Sequence, residues 1–251
     1  MRSDHPLAIV TGGARRVGRA VCIALAQRGC DIEVTYRTSD DEAKSLVSEI
    51  ERLGRRCTTS RLDLNDLAAV QAYAERIGSQ RGRVDVLVHN ASVYESTPIG
   101  KITADAAERH LRVNAAAPLL LTQGLADSLR RSTLPGGGAV VAFCDIHALG
   151  RPRKDHAAYG MSKAALTGMV HALARDLAPE VRVNGVAPGV VAFPEEGPES
   201  DPEMQRKYLS RVPLGRSGTP EDAAGVAAWL ALDAAYLTGE VIRVDGGRWL
   251  D

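Results

Sequence analysis

The chain has 251 residues, 45% hydrophobic and 25% charged, a composition ordinary for a globular protein. Lys plus Arg equal Asp plus Glu at 31 each, so the basic footprint of a nucleic-acid binder is excluded at the level of the whole chain. No apolar stretch reaches the ~18 residues of a membrane span, the N-terminus MRSDHPLAIVTGG lacks an export signal, and Cys22, Cys30, Cys57 and Cys144 show no metal-ligand spacing. A cytoplasmic protein with reduced thiols, no metal, no nucleic-acid partner and no membrane partner is expected.

In chain order, short apolar runs alternate with helical periods. Strands are predicted at 7–11, 31–36, 57–63, 84–90, 138–144, 181–187 and 240–245. Helices are predicted at 16–28, 40–53, 65–78, 105–131, 157–178 and 220–232, the last opened by a Thr219 cap and Pro220. This alternation predicts an α/β fold: a three-layer, doubly wound parallel sheet of about seven strands with helices on both faces. One domain over 1–251 is expected. Residues 192–218, rich in Pro, Gly and charge, break the rhythm and read as a substrate-loop insertion with a short helical piece near 203–210.

Two places carry chemistry. In LAIVTGGARRVGRAV a strand runs into Gly12 and Gly13 and then a helix near Arg16, a phosphate-binding arrangement in which backbone N–H groups face the anion. Its spacing is T-G-x-x-x-R-x-G, with Arg16 where glycine is the common choice. The second strand ends Tyr36-Arg37-Thr38-Ser39, and Asp31 and Glu33 come too early to hold a ribose 2′-hydroxyl. Arg37, the two hydroxyls behind it and Arg15 suit a 2′-phosphate, so NADPH is expected over NADH. Further on, Tyr159 and Lys163 lie one helical turn apart. A cation there favours the phenolate, so that Tyr159 can exchange a proton as hydride moves.

These motifs, with Asp63-Leu64, His89-Asn90-Ala91-Ser92, Asn114, Tyr159-Gly-Met-Ser-Lys163 and Pro188-Gly189 in this order, resemble the short-chain dehydrogenase/reductase family over nearly the whole chain. The resemblance implies a Rossmann-type sheet and a homotetramer. It implies cofactor contacts from Thr11, Gly12, Val17, Asp63, Leu64, Asn90, Ala91, Ser92, Pro188, Gly189 and Val190, and a water-ordering helix kink at Asn114. The family's serine at the end of the fifth strand is missing; Phe143-Cys144-Asp145-Ile146-His147 stands there. Asp145, Arg16, the segment Asn90–Tyr94 and Phe193-Pro194-Glu195 are similar to the pteridine reductases within the family. That likeness implies reduction of a 7,8-dihydropterin, with dihydrofolate or oxidised pterin as further substrates. Tyr159 would be the acid, Lys163 its tuner and Asp145 the pterin ligand and proton relay. Tyr94 would stack on the ring, with Arg16 and Ser92 holding substrate and phosphates.

Simpler roles stand beside these. Asp63 can cap the next helix, Asn114 can be a kink partner of Pro118, Tyr94 can be loop packing, and His89 and His147 read as structural residues. A generic NADPH-dependent carbonyl reductase, such as a 3-oxoacyl thioester reductase, and a non-catalytic NADPH-binding regulator remain open.

Overall fold

Strands covered by helices on both faces must be apolar along their whole length, and β1 (Leu7–Thr11) reads LAIVT. The computed structural model describes residues 5–191, 193 and 200–250. In it β1 lies third in a seven-stranded parallel sheet, beside the central β4. The other strands are β2 (Asp31–Tyr36), β3 (Cys57–Arg61), β4 (Val86–His89), β5 (Gly138–Phe143), β6 (Val181–Pro188) and β7 (Val241–Val244), in the order β3-β2-β1-β4-β5-β6-β7. The register sets Val10 beside Val34 and Val88, and Val88 beside Val141.

Two helical layers close the sheet. On one face α1 (Arg16–Gln27), α2 (Asp40–Arg52) and α8 (Pro220–Leu232) bury Leu25, Ile50 and Leu230. On the other α3 (Leu67–Arg81), α5 (Ala117–Arg130) and α6 (Ala157–Asp176) bury Ile77, Leu125 and Val170. α8 opens with a capping box between Thr219 and Asp222 and Pro220 in its first turn, as the sequence predicts. The strand order reverses between β1 and β4, and the crevice over their C-terminal ends is where ligands of such sheets bind.

Three sequence expectations are corrected. The single helix expected over 105–131 is broken: α4 (Ala104–Leu111) passes through a π-helical turn, Arg112–Ala116, before α5 begins, with Pro118 in the first turn of α5. β3 and β4 are shorter than expected, and Leu62 and Asp63 lie beyond the end of β3. Asp63 does not cap the following helix; Asp66 does, accepting from the Ala69 N–H, while Asp63 accepts from the Asn65 N–H. Within the expected insertion, α7 (Pro202–Leu209) forms, capped by Asp201. Residues 192 and 194–199 of that insertion, with Pro194 and Glu195 of the segment likened to pteridine reductases, lie outside the described residues.

Candidate active site

A cleft of about 670 Å³ runs along the C-terminal ends of the central strands. Its nucleotide end is built by the β1–α1 turn. Gly12 has φ +62°, a conformation glycine adopts without penalty. A Cβ on Gly18 would lie 2.3 Å from the Gly12 carbonyl and 2.5 Å from Asn90 Nδ2, so helix and turn touch backbone to backbone only because residue 18 is glycine. Arg16 holds φ +50°, the left-handed region a non-glycine residue rarely adopts. Asn90 donates to the carbonyls of Thr11 and Gly12 at 3.0 Å each, and Thr11 Oγ1 accepts from the Asn90 and Ala91 N–H groups. The first turn of α1, which lines the cleft with Arg16, Val17 and Gly18, has neither a side-chain cap nor an acidic residue, a helix start suited to an anion.

The cleft continues past Arg15, Arg16, Val17, Tyr36, Arg37, Thr38, Ser39, Asp63 and Leu64. Arg15 meets Glu42 at 3.5 Å, a half-exposed pair, and Tyr36 donates to Asp40. This cradle fits a dinucleotide: glycines admit close approach, the helix start offers N–H donors, and cations follow β2. Thr11 and Asn114 are buried and do not line the cleft; they act from beneath it.

At the other end Tyr159 and Lys163 project from the first turns of α6, both almost completely buried. The Tyr159 hydroxyl donates to Asp145 Oδ2 at 2.6 Å, across 14 residues of sequence. The other carboxylate oxygen accepts from the His147 N–H at 2.7 Å, capping a short 3-10 turn, Ile146–Leu149. Burial first, then the Asp145 charge and hydrogen bond, push the Tyr159 hydroxyl well above the usual tyrosine range. Lys163 lies with its Nζ 5.9 Å from the Tyr159 ring centroid. Lys163 donates to the Phe143 carbonyl at 2.6 Å, and burial lowers its own proton affinity.

Asn114 sits inside the π turn and ties α4 to both neighbours. Its Nδ2 donates to the Val93 carbonyl and to Ser162 on α6, and its Oδ1 accepts from the Val93 N–H. Ser92 also donates to that Oδ1, so its hydroxyl proton is turned into the protein although the residue lines the cleft. Tyr94 lines the cleft with its ring edge-on to Tyr159 at 4.8 Å, but it also stacks on His156 at 4.9 Å. The sequence reading missed His156, because only tertiary packing brings it under Tyr94. It also missed Tyr208 of α7, whose hydroxyl accepts from the Val190 N–H and fixes the Pro188-Gly189-Val190 edge. His147 is held by its Nδ1–H to the Arg151 carbonyl. His89 is packed, bonding Thr122 at 2.7 Å, though its Nδ1 has no partner. Burial pushes its imidazole down to about 3.

A family model described as enoyl-(acyl carrier protein) reductase matches residues 12–248. The chain belongs to the short-chain dehydrogenase/reductase family. It is 34% identical over 247 residues to L-rhamnose 1-dehydrogenase (NAD(P)(+)) of Sphingomonas sp. (strain SKA58), covering 97% of this chain and 96% of that one. It is 32% identical over 251 residues to the 3-oxoacyl-[acyl-carrier-protein] reductase of Thermotoga maritima, covering 98% and 99%. Among solved structures, a blue fluorescent protein from a metagenomic library in complex with NADPH superposes with a TM-score of 0.86 at 36% identity, covering 97% of each chain. As a short-chain dehydrogenase/reductase the chain is an oxidoreductase of a family that binds NAD(P). Among the described residues no group of three or more His, Cys, Asp or Glu is placed to hold a metal ion, and no helix is long and apolar enough to cross a membrane.

Proposed function

We propose that this reductase uses NADPH to reduce a pterin, converting a 7,8-dihydropterin to the tetrahydropterin. The observation that carries the reading is the Asp145 carboxylate, hydrogen-bonded at 2.6 Å to the Tyr159 hydroxyl where the family resemblance leads one to expect a serine. A serine hydroxyl suits a carbonyl oxygen. A carboxyl group instead matches a flat heterocycle with ring N–H donors and a C=N bond whose nitrogen must gain a proton after hydride arrives.

NADPH, when bound, supplies the hydride. Gly12, Asn90 and the start of α1 would receive its pyrophosphate, and Arg37 with Thr38, Ser39 and Arg15 would receive the 2′-phosphate. Asp145 keeps the Tyr159 phenol protonated and oriented, so the acid is already loaded when substrate binds. Tyr159 releases its proton to the nitrogen, and the phenolate regains one by way of Asp145, whose carboxylate first takes a proton from solvent in the cleft. Lys163 holds the end of β5, where Asp145 begins, through the Phe143 carbonyl. Tyr94, buttressed by His156, supplies an aromatic wall for the ring.

The test is NADPH oxidation with dihydromonapterin, dihydrobiopterin, dihydrofolate and an acetoacetyl thioester side by side. Pterin turnover that exceeds thioester turnover supports the reading. Turnover of the thioester alone supports carbonyl reduction, the second reading, which the names of the rhamnose dehydrogenase and oxoacyl reductase relatives favour.

A further inference from the structure

Opposite charges balance over the whole chain, but not in the cleft. Among the described residues six Arg or Lys line it against three Asp or Glu. Arg15, Arg16 and Arg37 belong to the nucleotide end, and Lys163 is fixed on the Phe143 carbonyl. Arg109 and Arg153 remain at the substrate end, where Asp145 is already engaged by Tyr159 and the His147 N–H.

Arg109 projects from α4 across to Glu95, the residue after Tyr94, at 2.9 Å. Both side chains line the cleft, and they are 34% and 48% exposed. An ion pair so wetted is weak, and its geometry is readily exchanged for another carboxylate. A guanidinium receives a carboxylate through two parallel N–H donors, so an incoming carboxylate loses nothing relative to Glu95. Arg153 stands 5.8 Å from the Tyr94 ring centroid and adds positive potential at the same wall. Arg109, paired to the residue that follows Tyr94, is thus the cation placed beside a ring that lies against Tyr94.

We propose that Arg109 is a specificity-determining residue that reads an anionic tail on the substrate, with Glu95 holding its place until that tail arrives. Resting on the pterin reading, this selects pterins with a carboxylate-ended tail, the dihydrofolate type, over pterins with a short neutral tail.

The test compares kcat/KM for dihydrofolate and dihydrobiopterin in wild type, Arg109→Gln, Arg109→Lys and Glu95→Gln. The ratio of the two should fall about tenfold in Arg109→Gln, as for one charge-assisted pair at a wet rim, recover in part in Arg109→Lys, and rise in Glu95→Gln. The loss should sit in KM, since a tail contact serves ground and transition states alike. An unchanged ratio overturns the inference while leaving the pterin reading in place. A second measurement is independent of turnover: p-aminobenzoylglutamate, the tail without the ring, is titrated into the NADPH-loaded protein. Binding that weakens about tenfold in Arg109→Gln supports the rim site even if no pterin is reduced, an outcome that would remove the pterin reading alone. Binding of the fragment indifferent to Arg109 counts against the site.

Discussion

Replacing Asp145 with Asn removes the charge at the reacting end and keeps the size. In the wild type one carboxylate oxygen receives the Tyr159 hydroxyl at 2.6 Å and the other receives the His147 N–H at 2.7 Å. The amide can still accept from His147 with its oxygen, so the 3-10 turn should persist and the fold with it. What is lost is a hydrogen bond to a charged acceptor, worth about 1.5–3 kcal/mol, together with the route that returns a proton to Tyr159. If that interaction serves the transition state, kcat and kcat/KM for a dihydropterin should fall together by roughly 10- to 150-fold. The pH dependence has a definite sign. Burial and Asp145 raise the Tyr159 pKa, so the acid form persists into strongly alkaline solution. Without the carboxylate charge that pKa moves down, and the alkaline loss of activity should begin at lower pH. The assay is NADPH consumption at limiting and at saturating dihydropterin across the alkaline range, with circular dichroism as the folding control. Full pterin turnover in Asp145→Asn, with an alkaline limb where the wild type has it, would refute the proton-supply argument.

Arg37→Asp should place an acid where a ribose 2′-hydroxyl is read and shift the NADPH:NADH preference by about 100-fold or more, measured as the ratio of kcat/KM values. Gly18→Ala puts a methyl group 2.3 Å from the Gly12 carbonyl; overpacking of about 1–3 kcal/mol should lower Tm and weaken cofactor binding in parallel. His89 is held neutral, its pKa lowered by burial to about 3, so its stabilising contribution is complete above about pH 6.5 and is lost as pH falls toward 3. At ~1.4 kcal/mol per unit, a drop from 6.5 to 3 is of order 5 kcal/mol, and His89→Asn should unfold in acid at a distinctly lower pH than wild type in urea-assisted titrations.

The strand positions, the glycine turn and the Tyr-Lys pair were legible because each depends on local sequence: hydrophobic period, backbone freedom, one helical turn. The contacts that define the site were not. Tyr159 and Asp145 are joined across 14 residues, and the rise of the Tyr159 pKa comes first from burial and then from that carboxylate, neither of which a local motif displays. His156 beneath Tyr94 and Tyr208 against Val190 are long-range meetings of residue types that carry no motif. Arg182 is a similar case. It lies in the apolar-looking run VRVNGVA, yet its guanidinium is buried and donates to the carbonyls of Leu230, Ala231 and Ala234, closing the end of α8. Helix C-terminal carbonyls need such donors, but only the folded chain shows which residue provides them.

The π turn at Arg112–Ala116 changes the phase of the helix that contains it. One surplus residue rotates everything after it by about 100° relative to a continuous α-helix. α4 therefore turns its packing face to α6, while α5, collinear in sequence, turns its own to α3. The two halves answer to different neighbours, and Asn114 marks the seam. Deleting a single alanine there, Ala115 or Ala116, would restore regular winding and so force one of two registers to give way: either Leu121, Leu125 and Leu129 leave the core, or Asn114 lets go of Val93 and Ser162. A deletion that leaves every chemical group in place would thus act like a misaligned gear, uncoupling the substrate wall from the helix that carries Tyr159 and Lys163.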